Sequence, residues 1–121
     1  MKIESSAQAS NQAPTEQTKE KKLLSTLGLC VRAGKVIFGV PMICESLRRG
    51  GANAPCLVLE ASDTSENTSK RISDKCKYYQ VKHVRLRCDG ATLARALGKT
   101  SSLAAVALTD PKMSELAERY L

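Results

Sequence analysis

The stretch Arg32–Gly50, RAGKVIFGVPMICESLRRG, decides how the rest of the chain is read. It opens on a basic turn containing Arg32, Gly34 and Lys35. Val36-Ile37-Phe38 is a short β-prone run, and Gly39 breaks it. A helical pattern starts at once. Ile43, Cys44 and Leu47 recur at helical spacing, Arg48 and Arg49 fill the last turn, and Gly50-Gly51 is the stop. Pro41 falls in the first turn, where its missing N–H costs the helix nothing. The spacing predicts a strand at 36–38 and a helix over about 40–49. The start of that helix is expected beside Arg32 and Lys35, where unpaired N–H groups attract anions, phosphate among them.

Upstream, residues 1–18 are mostly small and polar, with almost no large apolar groups. Such a segment cannot offset its ordering entropy and is expected to be a disordered tail. Residues 19–121 then read as a single domain. Leu23, Leu24, Leu27 and Val31 make one stripe of a helix from Lys19 to Ala33. Downstream, Cys56-Leu57-Val58-Leu59 is a continuous apolar run and reads as a strand buried on both faces. Asp63 and Glu66 have capping-box spacing and predict a helix running to about Tyr79, with Ile72, Cys76 and Tyr79 inward. Val81–Leu86 alternates, with Val84, Leu86 and Cys88 on one side and His83, Arg85 and Arg87 on the other. That pattern is either a second phosphate contact or, better, the solvated face of an edge strand. A short helix is expected at Ala91–Leu97, a polar loop at Gly98–Ser102 and a buried strand at Leu103–Leu108. Asp110-Pro111 marks the start of a last helix. The order α-β-α-β-α-β-α-β-α implies an α/β fold with a parallel or mixed sheet covered by helices on both faces.

The net charge is +7. Two lysines and three glutamates leave residues 1–20 at −1 and residues 21–121 at +8. That excess points to a polyanionic partner. With three Tyr, one Phe and no Trp the core is aliphatic. No apolar run approaches the roughly 20 residues that span a bilayer, and the N-terminus has no apolar secretory core. A cytoplasmic monomer without membrane contact is expected. Cys30, Cys44, Cys56, Cys76 and Cys88 form no C-x-x-C pair and have one histidine, His83, for company. They read as small core residues in a reducing compartment, neither a disulfide frame nor a zinc site.

Gly98-Lys99-Thr100 is similar to the end of a phosphate-binding P-loop, but Leu93 stands where the motif needs glycine and a helix precedes it instead of a strand. No paired carboxylates sit in apolar surroundings, and His83 has no cysteine or serine at a motif spacing. The chain is therefore read as non-enzymatic and without a cofactor. The same loop is more useful as a contact for RNA, if it folds back beside the Gly39 turn.

Several segments together carry a family resemblance: Leu27-Gly28-Leu29 through Arg32-Ala33-Gly34-Lys35, Phe38-Gly39, Leu57 through Thr68, Asp74-Lys75-Cys76, Leu97-Gly98-Lys99 and Ala105 through Asp110. The chain resembles the superfamily of small ribosomal proteins that bind kink-turn RNA, the L-seven-Ae and L-thirty-e type, and within it the bacterial YlxQ-like branch. The resemblance implies a three-layer α-β-α sandwich around a four-stranded mixed sheet. It also implies RNA binding by Lys35, Gly39, Val40, Pro41 and Met42, with Lys99, Thr100, Ser101, Ser102 and Leu103 opposite; Arg32 adds charge. Kink-turn binders carry Asn-Glu or Lys-Gln where this chain has Pro41 and Met42, and a lysine where it has Glu45. Pro41 offers no donor, and Met42 offers at most a weak sulfur acceptor. Two readings follow. One is a ribosomal-type protein that contacts structured RNA, ribosomal or other, through phosphate and shape. The alternative is a protein–protein adaptor on the same fold that has lost kink-turn specificity; on the partner side, structured RNA and ribosome-associated proteins are expected.

Overall fold

The computed structural model describes residues 16–121. Its elements are α1 (Glu16–Arg32), β1 (Val36–Phe38), α2 (Val40–Arg49), β2 (Leu57–Glu60), α3 (Glu66–Tyr79), β3 (Lys82–Arg85), α4 (Gly90–Ala96), β4 (Ala105–Leu108) and α5 (Pro111–Glu118). The strands form one sheet in the order β1-β4-β2-β3. β2 and β3 are parallel, whereas β4 runs antiparallel to both β1 and β2, so the sheet is mixed, as the element order implied.

Alternation along the strands divides the core in two. Val36, Phe38, Leu57, Leu59, Val84, Val106 and Leu108 face a layer supplied by Leu23, Leu27 and Cys30 of α1, Leu93 of α4 and Ala117 of α5. On the other face Ile37, Val58, Ala105 and Ala107 meet Val40, Ile43 and Leu47 of α2 and Ile72 and Cys76 of α3. The result is the three-layer α-β-α sandwich. β2 and β4, the two central strands, are buried at every position, which explains their continuous small and aliphatic character.

Most boundaries differ from the sequence reading by a residue or more, and three differences have a structural consequence. α1 begins at Glu16, before the expected Lys19; the disordered tail expected for residues 1–18 otherwise lies outside the described residues. β4 begins at Ala105, because Leu103 and Ala104 belong to the preceding loop. The cap of α3 is Ser65, whose hydroxyl accepts from the Thr68 amide at 3.3 Å, and not Asp63. Asp63 is engaged elsewhere: its Oδ1 accepts from the Gly90 amide at 2.9 Å, tying the β2–α3 turn to the start of α4.

Candidate functional site

The sheet register sets which loops share an end of the molecule. β1 pairs with β4 so that Phe38 faces Val106, and the Gly39 amide donates to the Ala105 carbonyl at 3.0 Å. The turn that launches α2 and the loop that enters β4 are therefore neighbours, an arrangement the sequence left open. Gly39 sits at φ 86°, a left-handed conformation that side chains disfavour, and this lets the chain leave β1 and enter α2 without an intervening loop. Among the described residues no side chain caps α2. The amides of Val40 and Met42 thus lack an intrahelical acceptor and give this end positive polarity.

The loop opposite is held on three sides. Lys99 donates its amide to Ala94 O at 2.8 Å, Leu103 donates to Gly90 O at 3.1 Å, and Ala61 donates to Ala104 O at 2.8 Å. Thr64 Oγ1 also reaches Ala104 O at 3.3 Å. Gly90 is required by space: a Cβ there would lie 2.3 Å from Ser102 Oγ and 2.8 Å from Leu103 O. The loop is thereby pre-set, with Thr100, Ser101 and Ser102 exposed and Leu103 half-buried against the core.

Lys99 links the two segments. Its Nζ lies 4.2 Å from the centre of the Phe38 ring, beside Gly39. Pro41 and Met42 are exposed on the same helix start, Met42 at 55%. Gly39, Pro41, Met42, Lys99 and the 100–103 segment therefore form one face, part cationic and part apolar. Val40 adds only its backbone, because its side chain is buried under α2.

Arg32 and Lys35 do not join this face. Val36 pairs with Leu108, and Lys35 O accepts from the Thr109 amide at 3.0 Å, so Lys35 lies at the opposite end of β1. Four extended residues put its Cα roughly 13 Å from that of Gly39. Arg32 closes α1 at that same far end. The expected juxtaposition of these two cations with the start of α2 is thus corrected by the intervening strand. Glu45 also differs from the simple picture of a lone acid. Arg48 donates to it at 2.6 Å and Arg49 at 3.4 Å, and the Arg48 hydrogen bond, foremost, holds its carboxyl below the usual range.

One polar cluster escaped the sequence reading. Glu60, at the end of β2, is fully buried. His83 Nε2 lies 2.7 Å from its Oε1, and Arg85 Nε lies 3.9 Å from its Oε2. That Oε2 has no hydrogen-bond partner among the described residues. Arg85 donates its hydrogen bonds instead to Ser62 O at 2.8 Å and Thr64 O at 3.4 Å, which braces the turn beneath the 99–104 loop. β3 is an edge strand, and Arg85 and Arg87 on its basic side are exposed as expected; what was not expected is that His83 and Arg85 also turn toward a buried carboxylate. The parallel pairings Val58 with His83 and Glu60 with Arg85 produce this, and only strand pairing reveals them.

Fold and face together define a small α-β-α sandwich that presents a rigid loop beside an uncapped helix start. The chain belongs to the ribosomal protein L7Ae/L30e/S12e/Gadd45 family, whose model matches residues 21–118. It is 39% identical over 84 residues to RNA-binding protein YlxQ of Bacillus subtilis (strain 168), covering 69% of this chain and 79% of that protein. A solved Bacillus halodurans protein of unknown function superposes with a TM-score of 0.73 at 28% identity, covering 82% of this chain and 95% of its own. The Giardia lamblia 15.5kD RNA binding protein shares the fold, with a TM-score of 0.68 at 14% identity, 84% coverage of this chain and 83% of its own.

Proposed function

We propose that this domain is a non-enzymatic, ribosomal-type RNA-binding protein of the cytoplasm. It acts as a monomer on structured RNA through the face formed by Gly39, Pro41, Met42 and residues 99–103. The observation that carries the reading is the Gly39–Ala105 hydrogen bond, which sets the start of α2 against the loop before β4. The RNA-binding name of the Bacillus subtilis relative supports the ligand class. Phosphate is drawn by Lys99 and the free amides of α2, while Thr100, Ser101 and Ser102 offer hydroxyls to the sugar–phosphate strand. Pro41 and Met42 cannot supply the base-edge hydrogen bonds that read sequence, worth on the order of 1–3 kcal/mol per good pair. Recognition here is accordingly led by charge and shape, with kink-turn reading weakened.

The exposed Met42 beside Pro41 favours one competing reading, an adaptor whose partner is another protein. Crosslinking in cells followed by sequencing of the attached RNA, alongside purification with and without nuclease, separates the two. A defined RNA site crosslinked to residues 99–103 supports the RNA reading. Purification free of nucleic acid with a protein partner that survives nuclease treatment supports the adaptor.

A further inference from the structure

The face described above leaves one conspicuous aromatic unused. Tyr78, in the last turn of α3, is 79% exposed. Its ring meets Tyr79 edge to face, with centroids 4.8 Å apart and planes at 81°. Tyr79 is half-buried against the α2/α3 core and so braces the exposed ring. Arg71, Lys75 and Tyr78 stand at i, i+4 and i+7, one flank of the helix about 10 Å long. Lys70 is paired with Asp74 at 3.6 Å, but Arg71, Lys75 and Lys77 have no ion pair among the described residues. On neighbouring α2, Arg48 and Arg49 share the single carboxylate of Glu45, which leaves another positive charge near Tyr79.

We propose that the Arg71–Lys75–Tyr78 flank of α3 is a second RNA-contacting surface, one that takes a single-stranded segment with a base stacked on Tyr78. A ring packed edge to face against its neighbour, with Lys75 one turn away, Arg71 one turn further and the nearby Asp74 already paired with Lys70, meets both needs of an unpaired strand: a stacking platform and a counter-charge for phosphate. A protein partner would find little apolar surface beside the ring, since the flanking positions are Arg71, Asp74 and Lys75. The surface is distinct from the Gly39 face: α3 starts at the sheet end that carries Gly39, and Tyr78 lies at the helix's opposite end. The inference rests on RNA being the ligand class.

The test uses the full chain and two labelled probes, a uridylate dodecamer and an RNA hairpin with an asymmetric internal loop, read by fluorescence anisotropy at low salt. Tyr78→Ala is expected to weaken dodecamer binding about tenfold, and Lys75→Glu to do the same with a shallower salt dependence. Tyr78→Phe, which keeps the stacking ring, is expected to retain parental affinity for the dodecamer. Lys99→Glu is expected to spare the dodecamer and weaken the hairpin. Unchanged dodecamer affinity in Tyr78→Ala overturns the proposal, as does a parent chain that binds the hairpin but not the dodecamer. If the parent binds neither probe, the RNA reading of the Gly39 face falls too.

Discussion

The ammonium of Lys99 sits 4.2 Å above the centre of the Phe38 ring, so a loop cation is tethered to the strand that ends at Gly39. An exposed contact of this kind is worth about 0.5–1 kcal/mol. Lys99→Glu should therefore cost little stability while placing a negative charge between the two halves of the face. RNA affinity is expected to fall about tenfold, and the slope of log K against log salt to drop by about one. Lys35→Glu, at the other end of β1, should change affinity far less. Binding titrations across a salt series compare the two variants directly, and a larger loss in Lys35→Glu would relocate the interface.

Gly90 has no room for a methyl group, since Ser102 and the Leu103 carbonyl occupy that space. Gly90→Ala is expected to destabilise the fold by roughly 1–3 kcal/mol through overpacking. It should also displace the 99–104 loop and weaken RNA binding at temperatures where the variant stays folded. Urea unfolding paired with binding measurements checks both effects. Retained stability and affinity would mean that the loop yields easily and is not pre-set.

The buried Glu60 depends on His83 and Arg85 for compensation. Removing His83 leaves the buried carboxyl without its hydrogen-bond partner, a loss that costs about 1–3 kcal/mol for a buried polar group. His83→Ala is expected to approach that lower bound, because Arg85 still stands nearby. Glu60→Leu, which fits the apolar pattern of β2, should cost less, and combining it with His83→Ala should recover part of the loss. A double-mutant cycle by chemical denaturation gives the coupling directly.

Burial pushes the thiols of Cys76 and Cys88 up to about 11, from an ordinary value of 9.0. Unfolded, each thiol ionises near its ordinary value; folded, it stays protonated until about pH 11. The unfolded state thus binds fewer protons across that window, and stability falls as pH rises through it. The loss is on the order of 2 kcal/mol per thiol at the top of the window. Denaturation midpoints between pH 8 and pH 11 should show the decline, and Cys88→Ala should flatten it relative to the parent. Below pH 8 both thiols should resist alkylation in the folded protein.

Where local chemistry dominates, the sequence was readable. Gly39, Pro41 and the Gly50 stop delimit α2 without reference to anything distant, and its expected span agrees with the observed Val40–Arg49. The β1–β4 pairing brings the 99–102 loop next to Gly39, an arrangement that element order allowed without requiring. Two local rules misled. Asp63, Thr64 and Ser65 are all capable caps, and the choice among them is made by a tertiary bond from Gly90 to Asp63. Lys35 and Gly39 are near in number, but an extended strand keeps them apart, whereas a helical connection would have closed the gap. The Glu60–His83–Arg85 cluster was invisible for a related reason: its members meet only through β2–β3 pairing.

The hydrogen bond from Gly39 to Ala105 joins an early part of the chain to a late one. A polypeptide emerging during synthesis cannot assemble the face until β4, its last strand, has slid between β1 and β2. A ligand bound across this face, as proposed, would therefore require a finished sheet. Copies truncated before β4 would lack one wall of the face and are expected not to bind.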